Sequence, residues 1–308
     1  MRVFDAHCDV LMKLYRGTAT SFCDDTHLQA TLQGLRNGHV KVQVFAIYVP
    51  EHVHPSLRFD VALAQVDLFY REIIGKSGLV HIRSGEDLFQ LQDREIGAIL
   101  ALEGCDCIGD DMIRLRTLLR LGVRSVGLTW NFANLVADGV LEERGGGLTN
   151  FGKEVVRELS EACVWCDVSH LSERGFWDVM ELSNYVVATH ANARSLASHV
   201  RNLTDEQFRV ITAKNGIVGV TFVPQFLRAD EKADIYDVLR HIEHFCSLGG
   251  EYHIGIGSDF DGIERTPSGL HGSEDFVRLG NLLNQYYTSR QVDNFLYNNF
   301  ANAFIPIS

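Results

Sequence analysis

A chain of 308 residues, 46% of them hydrophobic, is long enough to enclose one large core and short enough to be a single catalytic domain over 1–308. Its 28 basic and 40 acidic residues leave a net charge of -12 with no basic stripe, so nucleic acid is not an expected partner. No apolar run approaches the ~18 residues of a membrane span, and Asp5, His7 and Asp9 interrupt the apolar start where a leader would carry its core. The expectation is a cytoplasmic protein with no membrane partner.

The first apolar stretch ends in His7-Cys8-Asp9. Residues i and i+2 share a face at a strand end, so His7 and Asp9 stand side by side while Cys8 points away. An imidazole and a carboxylate so placed suit one divalent ion, although three residues alone are a weak signal. A helix is expected over 24–37, with Leu28, Leu32 and Leu35 on one side and Gly38 closing it. A strand follows over 42–49, stopped by Pro50, then a loop whose His52 and His54 face solvent. The pattern continues with a long helix over 57–74, a small segment at 79–82 and a helix capped by Ser84.

From residue 96 onward strands and helices alternate. Strands are expected near 96, 123, 164, 185, 216 and 252, with helices over 111–121, 151–163, 172–182, 204–214 and 235–248 and a helical tail. Together with the strands near 3 and 42 there are eight, mostly apolar throughout, as in a parallel sheet covered on both faces. Eight such units predict an α/β fold of the (β/α)8 TIM-barrel type. A doubly wound open sheet is the alternative, but it would gather its ligands at one crossover rather than at many strand ends. The stretch Glu143-Arg-Gly-Gly-Gly147 lacks a phosphate-loop pattern and reads as a mobile loop near the site. Seven cysteines do not form a disulfide framework in a chain this long. Cys163 and Cys166 read as structural, whereas Cys105 and Cys107 stay open because they follow Glu103 closely.

Polar side chains recur where apolar strands end: His7 and Asp9, Glu103, His170, His190 and Asp259. In a barrel these positions converge on the C-terminal mouth. Three histidines with several carboxylates suit zinc or a similar borderline ion. They are more than one tetrahedral catalytic ion needs, so two ions with Glu103 as the bridge fit better. Arg201-Asn202 lies in the connection after His190, where a substrate carboxylate would want a guanidinium. The spacing does not separate Asp259 from Asp261.

The chain resembles the membrane dipeptidase (renal dipeptidase) family over nearly its whole length. The resemblance rests on Phe4-Asp-Ala-His-Cys-Asp9, Ala101-Leu-Glu-Gly104, Gly122-Val-Arg-Ser-Val-Gly-Leu-Thr129, Asp167-Val-Ser-His170, the segment from Thr189-His190 to Arg201-Asn202, and Gly255-Ile-Gly-Ser-Asp-Phe-Asp-Gly262. It implies a barrel hydrolase with two Zn2+ per chain, cleaving dipeptides that carry a free C-terminal carboxylate and tolerating a D-residue there. By resemblance, His7 and Asp9 would hold one ion, His170 and His190 the other, and Glu103 would bridge them. A bridging hydroxide would attack the peptide carbonyl. Asp259 would steer it and pass a proton to the leaving amine, and Arg201 would hold the terminal carboxylate. A homodimer is in keeping with the family and with base rate.

One departure stands out. After Leu128-Thr129 the family's best-known members carry a histidine that helps polarise the scissile carbonyl, and here the residue is Trp130, followed by Asn131. Indole donates one hydrogen bond and does not change charge near neutral pH. Trp130 is therefore expected either to line the pocket wall or to leave the carbonyl contact to the metal or to Asn131. The alternatives are a related binuclear hydrolase of another amide or a lactone, and a metal-binding homologue with impaired catalysis.

Overall fold

Parallel strands alternate with helices throughout the computed structural model, which describes residues 1–307. The strands are β1 (Val3–Cys8), β2 (Val40–Tyr48), β3 (Val80–His81), β4 (Gly97–Glu103), β5 (Val123–Gly127), β6 (Trp165–Asp167), β7 (Val186–Ala188), β8 (Ile217–Val220) and β9 (Ile254–Ile256). β1 pairs with β2, β2 with β4, and pairing then runs through β5 to β9 and back to β1, which closes an eight-stranded barrel. The open sheet is thereby excluded. β3 lies outside the ring, against the start of β4, and accounts for the small segment read at 79–82.

The strands read as apolar because both their faces are buried. Phe4, Val42, Ile99 and Val187 belong to an inner cluster, whereas Phe45, Leu100, Leu102 and Val218 pack outward against the helices. The N-terminal end of the lumen is plugged by aromatic rings. Phe300 stacks on Phe4 at 5.3 Å and meets Trp165 at 5.9 Å, while Phe304 meets Trp165 edge-on at 5.1 Å. Gly255 has no alternative, since a Cβ there would overlap the Phe300 ring.

The β1 strand is irregular where it matters. Asp5 pairs with Gln43 and Cys8 with Phe45, three residues against two, so a bulge falls at residues 6 and 7. Ala6 packs in the inner cluster and Cys8 in the outer one, and the residue between them, His7, is turned to the lumen.

Several helix starts carry side-chain caps. Ser84, expected as a cap, accepts from Asp87 N, and Asp111, Ser172 and Thr204 accept backbone N–H groups ahead of Met112–Arg120, Glu173–Leu182 and Asp205–Ala213. The segment read as one helix over 24–37 is different: only Leu32–Asn37 is helical, capped by Thr31. Ahead of it Asp25 accepts hydrogen bonds from Thr20 and His27, and this local bonding competes with a helix. Gly38 is not left-handed (φ -80°); it is needed because a Cβ would run into the Ser273 carbonyl. The long helix is regular over Arg58–Leu68 and continues as a π-helix over Phe69–Lys76. A short helix, Val10–Arg16, which the sequence pattern left unassigned, follows β1 directly.

The glycine-rich loop is tied down rather than free. Asp138 accepts from the Arg144 guanidinium and from Gly146 N, and Asp178 accepts from Leu148 N. All seven cysteines are free thiols. Cys105 and Cys107 sit in a 3-10 turn with both side chains in the core, which settles them as packing residues. His52 and His54 are exposed, as read. Among the described residues no helix is long and apolar enough to cross a membrane.

Candidate metal centre

The strand-end residues do converge. His7 and Asp9 leave β1, Glu103 ends β4, His170 follows β6, His190 follows β7 and Asp259 follows β9. Two of them, His170 (φ 66°) and Asp259 (φ 63°), are in the left-handed region, an uncommon conformation for residues with a Cβ and one that clusters at functional sites.

Glu103 lies at the centre and offers its two oxygens to opposite sides. Oε2 is 3.7 Å from His7 Nε2; Oε1 is 3.0 Å from His170 Nε2 and 3.7 Å from His190 Nε2. On the His7 side, Asp9 Oδ2 lies 3.4 Å and Asp259 Oδ1 3.9 Å from His7 Nε2. Two groups of side chains are thus close enough to share an ion: His7, Glu103 and His190, and His7, Asp9 and Asp259.

The protonation pattern follows from the neighbours. Burial opposes a charge on His7, but Glu103 and Asp9 outweigh it and raise its pKa well above the usual value. Burial pushes His170 down to about 4, helped by Arg201, and drives His190 well below its usual value, helped by His7 and His170. Burial alone would raise Glu103, yet the attraction of His7 holds it well below the normal carboxylate range. His170 and His190 therefore stay neutral and Glu103 ionised, the forms that donate lone pairs to a metal.

The donor set fits a cation on geometric grounds too. Thr189 Oγ1 donates to Asp167 and so accepts from His190 Nδ1 at 2.9 Å. His170 Nδ1 lies 2.8 Å from the side-chain amide oxygen Oδ1 of Asn131, an acceptor, and so carries its proton there. Both Nε2 atoms then present lone pairs, and they face each other at 2.8 Å. His7 Nε2 is buried beside them, and Glu103 and Asp9 favour a positive charge on its ring, a charge that a cation would supply in place of the proton. Lone pairs and carboxylates converging in this way are satisfied by a divalent ion.

The remaining sequence candidates divide. Arg201 is buried, donates from Nη2 to the His190 carbonyl at 3.3 Å, and leaves Nε without a partner. Its guanidinium lies 5.4 Å over the Phe226 ring, and burial lowers its pKa to about 10. Asn202 is a brace: its amide nitrogen donates to Ala197 O and Phe226 O, both at 2.8 Å. Trp130 is half-buried, 5.4 Å from the Tyr48 ring and 6.1 Å from the His170 ring, and lines a cavity of about 160 Å³ with Tyr48, Glu103, His170 and Asp259. Asn131 is turned to His170 rather than to that cavity. The pair that spacing left open is placed differently: Asp261 accepts from Gln29 N, Ala30 N and Lys13 Nζ and so anchors the 18–31 segment, whereas Asp259 stands beside His7 and Asp9.

Three residues of the site were not singled out from the sequence. Tyr48 ends β2, so the rule that strand ends face the mouth would have found it. Asp167 and Thr189 stand within the quoted histidine motifs, three residues before His170 and one before His190, but were given no role there. They fix the ring of His190 from behind, as outer-shell groups of a metal site do.

A closed parallel barrel with a buried cluster of histidines and carboxylates at its mouth defines a metal-dependent hydrolase, and its relatives make it one acting on small peptides. The chain belongs to the membrane dipeptidase family, peptidase family M19, whose model matches residues 1–305. Its structure is similar to that of a metallopeptidase from Rhodobacter sphaeroides, liganded with a phosphinate mimic of the dipeptide L-Ala-D-Ala, with a TM-score of 0.93 and 28% identity over 100% of this chain and 99% of the other. It is also similar to the dipeptidase AC of the same family, with a TM-score of 0.92 and 29% identity over 100% of this chain and 98% of that one. A Klebsiella pneumoniae protein described as an uncharacterized protein in the pqqA 5' region is 33% identical over 263 residues, 81% of this chain and 97% of the relative.

Proposed function

We propose that this protein is a two-metal dipeptidase for dipeptides with a free C-terminal carboxylate. The observation that carries this reading is the carboxylate of Glu103, with one oxygen toward His7 and the other toward His170 and His190. His7 and Asp9 would hold one ion, His170 and His190 the other, with Glu103 between them. Nitrogen and oxygen donors in this mixture suit zinc. Bound ions would supply polarisation of the scissile carbonyl and a water made acidic enough to attack it near neutral pH.

The chain's own residues supply the rest. Asp259 lies on the open side of the cluster, where a carboxylate can take a proton from the attacking water and give it to the leaving amine. Arg201 is a buried cation with a free Nε–H, which suits the substrate's terminal carboxylate. Trp130 and Tyr48 form an aromatic wall on the other side of His170, and the substrate's N-terminal residue would lie along it. Indole does not supply the charge that a histidine would bring here, so polarising the carbonyl would be left to the bound ions. Tolerance of a D-residue next to the carboxylate is part of the proposal; it is supported by the L-Ala-D-Ala mimic held by the Rhodobacter sphaeroides relative.

A panel of dipeptides with L- and D-residues at each position, assayed before and after metal removal, tests the reading. Hydrolysis that disappears with a chelator and returns with zinc is expected. Failure to cleave any member with zinc restored would overturn it, and cleavage of amides or lactones alone would move the protein to a different hydrolase class. Arg201→Ala should mainly erase the preference for free over amidated dipeptides; an unchanged ratio would remove Arg201 from the carboxylate site.

A further inference from the structure

We infer that Asn131 is a positioning residue for His170: it fixes the imidazole tautomer and so sets the affinity of one of the two ions, rather than touching substrate. The loop after β5 grips His170 from three sides. Asn131 Oδ1 lies 2.8 Å from the ring Nδ1, Val140 N donates to the His170 carbonyl at 2.7 Å, and Thr129 Oγ1 donates to the same carbonyl at 3.3 Å. The two carbonyl contacts hold the backbone of a residue in the left-handed region, and the Asn131 contact sets the ring upon it.

The ring contact decides which nitrogen bears the proton. Asn131 Oδ1 accepts, so the proton lies on Nδ1 and the lone pair on Nε2 faces Glu103 and His190. Without that acceptor the ring can carry its proton on Nε2, where it donates to Glu103 and offers no lone pair to an ion. His190 has its own device, the Thr189–Asp167 relay, so the two histidines are fixed by different elements and lose their hold separately. The backbone of the loop does not depend on the Asn131 side chain: Leu141 N donates to Asn131 O at 2.8 Å and Gly139 N to Phe132 O at 3.2 Å.

The inference rests on the two-ion reading above, and metal titration separates the two. Zinc binding to the metal-free protein is measured by calorimetry, and the cobalt-substituted protein by its visible spectrum, for the natural protein, Asn131→Ala and Asn131→Asp. The natural protein should bind two ions. Asn131→Ala should bind one ion unchanged and the other about 10–100-fold more weakly, with an altered cobalt spectrum. With saturating zinc its kcat should fall while KM for a dipeptide stays within about twofold, an interaction lost without loss of substrate binding. Asn131→Asp keeps an acceptor opposite Nδ1 and should restore both affinities. Two ions bound equally well by the natural protein and Asn131→Ala would overturn the inference and leave the peptidase reading standing. So would a KM raised tenfold or more with unchanged ion binding, which would make Asn131 a substrate contact. A natural protein that binds no ion would overturn the two-ion reading itself.

Discussion

The two ends of the barrel lumen are built from opposite materials. At the closed end, Phe4, Trp165, Phe300 and Phe304 fill the space with rings packed on one another. At the mouth, equally buried space is filled by His7, Asp9, Glu103, His170 and His190. Burying an aromatic ring stabilises the fold outright, whereas burying ionisable groups does so only when partners compensate them. The closed end thus holds the barrel together, and the mouth draws on that stability to keep lone pairs aimed at one place. Size does not mark the site: a hollow of about 440 Å³ opens at the closed end beside Trp165 and His253, against about 160 Å³ at the mouth. Convergent donors mark it.

The largest effect is expected from breaking the mouth at its centre. Glu103→Gln keeps the shape but removes the charge that both groups of donors share. Activity should fall at least about 1,000-fold, since a carboxylate bridge is removed from a two-metal site, and elemental analysis should find fewer than two ions per chain. The circular dichroism spectrum should stay unchanged. Undiminished metal content would remove Glu103 as the bridge. At the other end the dissociation should reverse. Phe300 is 1% exposed, and Phe300→Ala should cost about 3–5 kcal/mol, measured by urea unfolding, by leaving a cavity among Phe4, Trp165 and Gly255. The metal content of the protein that remains folded should not change. Loss of metal in step with loss of packing would mean that the two ends are not separable.

The sequence is informative about each end for different reasons. Toward the closed end most strand positions are apolar on both faces, with Lys41 and Arg124 as exceptions, so the barrel could be read from the rhythm of apolar runs and caps. At the mouth, the ligand-bearing positions could be read because polar residues after apolar strands are conspicuous. What could not be read is local geometry. The expected orientation, His7 inward and Cys8 away, holds, but not by strict alternation from Phe4 and Ala6, which would have turned Cys8 into the lumen; a bulge at residues 6 and 7 produces it, and nothing in Ala6-His7-Cys8 announces that bulge. Asn131 looked like a substrate contact because it follows Trp130, but only the fold of its loop reveals that its carboxamide faces His170. The helix expected over 24–37 failed because Leu28 has helical spacing yet belongs to a stretch organised by Asp25 and by the Asp261 anchor. Tyr48 was absorbed into an apolar strand and so passed unnoticed.

The smallest effect concerns a histidine outside the mouth, where burial outweighs the pull of the one nearby carboxylate, Asp87. His81 ends β3 beside the closed end, with the Phe69 and Tyr70 rings steeply inclined to it at centroid distances of 5.0 and 5.4 Å and Gly122 packed so closely that a Cβ there would overlap its ring. Its Nε2 is buried with no hydrogen-bond partner. Burial, aided by Arg83, lowers its pKa from 6.5 to about 4. A base with a depressed folded-state pKa is protonated first in the unfolded chain. Stability should therefore begin to fall as pH drops through about 6.5 and stop falling below about 4, where both states hold the proton. Screening of a half-buried ring reduces the total to about 1–2 kcal/mol. Other histidines titrate in the same range, so the quantity to measure is the difference in unfolding free energy between the natural protein and His81→Gln across that interval. The difference should shift in favour of the variant as pH falls from 7 to 4, because glutamine takes up no proton in either state. A difference independent of pH would mean that His81 is already compensated in the fold, and that the closed end tolerates an ionisable group as readily as the mouth does.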